Sequence, residues 1–216
     1  MTPLSKDSIP ALLVHDLPRE LVMGVEDAFN MGALRAYDSS RMMADGHLAH
    51  VLGQQRHFEM NEAFHKALQA ADARPSPIRG NDIITGRAGI FTVGRFNIPT
   101  GFWINGRRSH TRRQMSLVNK ALVPLLQPSL FEQYSRPSNA VVFFVACFSG
   151  SVRVHPHGPV SINIAVPDDE MRGWLFREPL SVFLQRYEPI VSESQLDLAK
   201  PKLKKGRDSA SDGGQA

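Results

Sequence analysis

The sequence predicts an α+β domain. It has a helical N-terminal layer, a central glycine-punctuated β-hairpin followed by a basic helix, and C-terminal antiparallel strands with two short helices. Three observations carry this reading. Apolar residues recur at helical spacing through the first third of the chain, short runs of β-formers broken by glycine follow, and the last third holds the uninterrupted apolar run "AVVFFVACF".

In the N-terminal third, Asp16 is placed to cap a helix that has Pro18 in its first turn, with Leu21, Val22, Val25 and Phe29 on one stripe. A second helix is expected over "HLAHVLGQQRHFEMNEAFHKALQAA", with Leu48, Val51, Leu52, Phe58 and Leu68 as its core face. The stretch "ARPSPIRGN" at 73–81, with two prolines and a glycine, ends that pattern and marks a change of layer or a sub-boundary.

The middle section changes period. "IITGRAGIFTVGRFNIPTGFWINGRR" reads as two or three short strands. Thr111 and Gln114 then have capping-box spacing, which predicts a helix from Thr111 to about Leu126. Met115, Val118, Leu122 and Leu125 form its buried stripe, and Arg112, Arg113, Ser116, Asn119 and Lys120 lie away from it.

Further on, "AVVFFVACFSG" has the composition of a central strand buried on both faces, and "VSINIAVP" alternates as a half-buried strand does. "SVRVHPHGP" between them is expected to be a short strand and a turn. Asp168 is placed to cap one helix over "DEMRGWLF", and Pro179 to open another over "PLSVFLQRY". Residues 1–199 are expected to form a single domain, and 200–216 a basic tail too polar to fold.

Composition narrows the function classes. A single cysteine, Cys147, excludes a disulfide framework and fits a reducing, cytoplasmic setting. The opening residues lack the basic-then-apolar order of a signal peptide, and no apolar run is long enough to span a bilayer, so no membrane partner is expected. No cofactor is implied, since neither a phosphate-loop nor a dinucleotide fingerprint is present.

Charge is the most informative property. The net value of +4 hides a balance of −4 over residues 1–72, +8 over 73–131, −3 over 132–197 and +3 over the tail. No carboxylate occurs from Ile83 to Phe131, while "NGRRSHTRRQ" brings four arginines to the expected start of a helix. Positive charge is unfavourable at that end, and a bound anion would relieve it. The alternative is ion pairing with acids that folding brings close, such as Glu26, Asp27 or Glu170.

Arg87, Arg95, Arg107, Arg108, Arg112, Arg113 and Lys120 therefore form the candidate nucleic-acid surface, with Trp103 and its neighbours Phe96 and Phe102 as stacking faces. The expected partner is DNA or RNA, and the expected role is regulatory or accessory rather than enzymatic.

The histidines carry the rival reading, a metal-dependent enzyme. Glu62 and His65 share a helical face at a three-residue spacing, and His155 and His157 flank Pro156. Together they make a candidate ligand set. Cys147, Ser149 and Ser151 lie near His155 in sequence but show neither a nucleophile elbow nor a cysteine-protease signature. Cys147, inside an apolar strand, reads as an inert core thiol.

Overall fold

The computed structural model describes residues 9–126 and 137–188. Among them are six helices and one five-stranded mixed sheet, an α+β architecture with helices first and most of the sheet after them. The expected tail at 200–216 lies outside the described residues.

The N-terminal layer consists of α1 (Ile9–Asp16), α2 (Arg19–Ser40) and α3 (Asp45–Ala70). Asp16 does not cap a following helix. It ends α1 and its carboxylate accepts from the Ile90 amide at 3.1 Å, while Pro18 occupies the N-cap of α2. Helices α2 and α3 form an antiparallel hairpin that packs closely at Gly32, where a Cβ would lie 2.9 Å from the Cα of Met60. Arg35 on α2 pairs with Glu59 on α3 at 2.8 Å near the same crossing.

The sheet runs in the order β1 (Thr85–Ala88), β2 (Phe91–Pro99), β3 (Ala140–Phe148), β4 (Ser161–Pro167) and β5 (Trp174–Pro179). β1 and β2 form the expected hairpin around a two-residue turn in which Gly89 takes φ +53°. β2 and β3 are parallel, and the remaining pairs are antiparallel. A parallel pair needs a crossover connection, and the basic segment after β2 begins it.

β3 is buried at every position, as its composition requires, because it is covered on both faces. One face, carrying Val142, Phe144 and Ala146, packs with Phe29, Phe64 and the other apolar residues of α1–α3. The opposite face carries Val141, Phe143, Val145 and Cys147 and packs under Trp103, Met115 and Val118 of the crossover.

Five further expectations are corrected. The helix from Thr111 to Leu126 is broken into α4 (His110–Ser116), a 3₁₀ helix (Leu117–Leu122) and α5 (Val123–Leu126), preceded by another 3₁₀ helix (Trp103–Arg108). Its cap is Ser109, whose hydroxyl accepts from the Arg112 amide, rather than Thr111. Asn119 accounts for the break. Expected on the solvent side, it is fully buried. Its Oδ1 accepts from Val141 N at 2.7 Å, and its Nδ2 donates to Val141 O at 3.0 Å and Pro167 O at 2.8 Å. The tighter 3₁₀ winding turns this amide towards the ends of β3 and β4.

The stretch "DEMRGWLF" is not a helix. Asp168 folds back on its own segment, accepting from the amides of Glu170, Arg172 and Gly173, and the chain then enters β5. "SVRVHPHGP" contains turns and no strand, with His155 at φ +56°. Pro179 does open a short helix, α6 (Leu180–Leu184), followed by one 3₁₀ turn.

Candidate anion-binding site

The arginine cluster has a local explanation first. Arg107 and Arg108 lie in the last turn of the 3₁₀ helix Trp103–Arg108, the end at which cations are favoured. Arg112 completes that cap, donating from Nε to Gly106 O at 2.8 Å and from Nη2 to Asn105 O at 3.4 Å. Its guanidinium also lies 4.6 Å from the centre of the Phe96 ring. The "NGRRSHTRRQ" arginines thus serve the C-terminus of one helix more than they crowd the N-terminus of the next. None of Arg107, Arg108, Arg112 or Arg113 makes an ion pair among the described residues; Glu170 is engaged by Arg172 at 2.5 Å instead.

The eight candidate surface residues separate into three environments. Arg87, Arg108, Arg113 and Lys120 are exposed. Arg107, Arg112 and Trp103 are half-buried, and Trp103 packs edge-on against Trp174 at 5.1 Å beneath the guanidinium of Arg177. Of the aromatic side chains beside the arginines, Phe96 is buried and Phe102 is exposed. Arg95 is only 4% exposed.

Strand alternation explains Arg95. Phe91, Val93 and Arg95 share one face of β2, so Arg95 points towards α2 and α3 and away from the face that carries Phe96.

Beyond Gly94, β1 no longer covers the outer edge of β2. A pocket of about 240 Å³ opens there, between α3 on one side and the α4 segment on the other, and both Arg95 and Arg112 line it. Three bonds orient the Arg95 guanidinium. Nε donates to Asn61 Oδ1 at 2.8 Å, Nη1 to Asn97 Oδ1 at 3.1 Å and Nη2 to His57 O at 3.1 Å. A guanidinium has five N–H groups, so two remain for a ligand. The Asn97 oxygen is occupied by Arg95, which leaves its amide nitrogen as a further donor.

Every one of these Arg95 partners is neutral, and no carboxylate forms an ion pair with Arg95 or Arg112 among the described residues. Burial lowers the pKa of Arg95 to about 9 and that of Arg112 to about 10, and both remain cationic at neutral pH. Burying a guanidinium with no counter-charge costs on the order of several kcal/mol, which an anion in the pocket would offset.

Compared with protein-family models, with curated proteins and with solved structures, the chain matches none. The chemistry of the pocket therefore carries the functional reading. The pocket presents N–H donors from two guanidiniums and one amide, with no carboxylate among the residues that line it. That arrangement suits phosphate or carboxylate oxygens.

His57 completes the wall. Its pKa is held below the ordinary value by burial, and further by the Arg95 charge. Because the Asn61 oxygen faces Arg95, the Asn61 amide nitrogen faces His57 Nε2 at 3.2 Å, which makes that ring nitrogen the acceptor and leaves the proton on Nδ1.

Sequence reasoning found Arg95 and Arg112 but missed His57, Asn61 and Asn97 as their companions. The available signal was the His57–Asn61 pair, two polar residues four apart and so on one face of the helix.

The metal-ligand candidates stand elsewhere. Glu62 is exposed and pairs with Lys66, and His157 packs edge-on against Tyr37 at 4.5 Å. Pro156, between His155 and His157, gives its carbonyl to Arg56 Nη2 at 2.8 Å. No group of three or more His, Cys, Asp or Glu residues that could hold a metal ion occurs among the described residues. Cys147 lies in β3 facing Asn163, and burial pushes its thiol up. No helix among the described residues is long and apolar enough to cross a membrane.

Proposed function

We propose that this chain binds a phosphate-bearing polyanion, with nucleic acid as the partner class, and that it acts as a regulatory or accessory protein in the cytoplasm. One observation carries the reading. Arg95 and Arg112 line a single pocket, and no carboxylate among the described residues pairs with either of them. Buried cations ordinarily find an anionic partner inside the fold, and the partner here is the ligand.

The exposed Arg108, Arg113 and Lys120 belong to the same acid-free segment as Arg112 and supply contacts to the phosphate backbone. Phe102, 59% exposed at the start of the 3₁₀ helix Trp103–Arg108, adds a stacking face.

Fluorescence anisotropy with labelled single-stranded DNA, single-stranded RNA and duplex DNA across a salt series tests this. Log affinity falls linearly with log salt, and the triple variant R108A/R113A/K120A flattens the slope by roughly 2 to 3, since each lost phosphate contact is worth about 0.7 to 0.9. Absent binding, or binding indifferent to salt, overturns the proposal.

A further inference from the structure

We infer that the pocket takes the terminal phosphate of a nucleotide and that the adjoining groove on α3 takes its base. This rests on the polyanion reading and specifies which part of the polyanion enters the fold. The groove has a volume of about 520 Å³ and shares Gly53 and His57 with the pocket, so the two adjoin along one side of α3.

Their linings differ in kind. The pocket alone holds guanidiniums, those of Arg95 and Arg112, with the amides of Asn61 and Asn97 and the apolar Ile83 and Phe96 beside them. The groove offers Phe58, 46% exposed, together with His50, Gln54 and Asn81. An exposed ring presents a face on which a base stacks, and the neighbouring amides and imidazole meet the donors and acceptors of its edge. Phosphate donors in one compartment and a stacking ring in the next match the two ends of a mononucleotide.

The depth of Arg95 selects a terminal phosphate over an internal one. Arg95 is 4% exposed, and its guanidinium is held by Asn61 and Asn97. An internal diester carries a sugar on each side and would have to bring both inside the wall to reach it. A phosphomonoester enters with its oxygens free and adds a second negative charge near neutral pH. Gly53 borders both compartments, and the space beside it is open, since a Cβ added there meets no atom within 4 Å.

The test compares single-stranded oligonucleotides of one sequence bearing a 5′-phosphate, a 3′-phosphate or hydroxyl ends, with adenosine monophosphate as competitor. One phosphorylated end binds about tenfold more tightly than the hydroxyl form, as a charge-assisted hydrogen bond or two would provide. Adenosine monophosphate displaces it. Gly53→Leu, which fills the open space where the two compartments meet at a helix position leucine favours, abolishes the preference without lowering the melting temperature.

Equal, salt-dependent binding of all three oligonucleotides overturns the inference and leaves the polyanion reading standing. If no oligonucleotide binds but adenosine monophosphate does, the pocket serves a free nucleotide and the nucleic-acid reading fails. Binding of none overturns both.

Discussion

Arg95 Nε donates to Asn61 Oδ1 at 2.8 Å, and that bond fixes which polar atoms α3 turns towards the pocket. The amide can accept from Arg95 in only one orientation. That orientation points its nitrogen at His57 Nε2. One buried guanidinium on β2 thereby sets the tautomer of a histidine on the neighbouring helix. The network uses three of the five Arg95 N–H groups and the Asn97 oxygen.

Asn61→Leu tests the network at its centre. The substitution leaves Arg95 Nε buried without an acceptor and removes the donor from His57 Nε2. Denaturant unfolding shows a loss of about 2 to 4 kcal/mol, well beyond what the change in side-chain volume explains. A loss smaller than about 1 kcal/mol would show that Arg95 finds another acceptor.

His57 makes stability depend on pH. Burial and Arg95 hold its folded-state pKa below the reference value of 6.5. As pH falls through 6.5 the unfolded chain takes up a proton that the folded chain does not, so stability declines and then levels off below the folded-state pKa. Asn61→Asp reverses the sign. A carboxylate there still accepts from Arg95 and also accepts from a protonated His57, which raises the ring pKa. Stability contributed by His57 in that variant is present at low pH and lost as pH rises through the new value. An NMR titration of the His57 ring in both proteins reads the two directions separately.

The strands and long helices were legible because burial imposes a period on them. "AVVFFVACF" is apolar at every position because both faces of β3 are covered, and the stripe Leu21, Val22, Val25 and Phe29 is the buried face of α2. The basic segment was misread for a tertiary reason. Thr111 and Ser109 both have side chains suited to capping, and nothing local distinguishes them. The break that follows depends on Asn119 meeting backbone groups of Val141 and Pro167, which lie 22 and 48 residues away.

The pocket was half legible. Arg95 and Arg112 were found as charges, but the alternation Phe91, Val93, Arg95 already placed Arg95 inside the sheet rather than on its surface. His57, Asn61 and Asn97 become a site only when α3 is laid against the outer edge of β2.

Asn119→Ala measures how much the crossover depends on one amide. It leaves Val141 N, Val141 O and Pro167 O without their side-chain partner in a buried position. Loss of about 3 kcal/mol is expected, on the scale of stranding buried backbone groups. Native-state hydrogen exchange localises the effect, with the Val141 amide losing protection before the amides in the middle of β3.

Asn97→Asp separates anion binding from folding. The introduced carboxylate still accepts from Arg95 Nη1, so the geometry of the bond at 3.1 Å is preserved. The buried guanidinium gains the counter-charge that the native fold lacks, and a charge-assisted bond replaces a neutral acceptor. Stability near neutral pH rises by about 1 to 2 kcal/mol. The same carboxylate removes the Asn97 amide donor and places a negative charge in the pocket, so binding of the phosphorylated oligonucleotide weakens by about tenfold or more. Acidification that protonates the new carboxyl group removes the added stability, because its pKa is depressed beside Arg95 and the gain is lost as pH falls through it. A structural role for Arg95 without ligand binding gives the stability gain alone, with oligonucleotide affinity unchanged. Opposite movements of melting temperature and affinity in one variant are the signature of a cation whose natural counter-ion is the ligand.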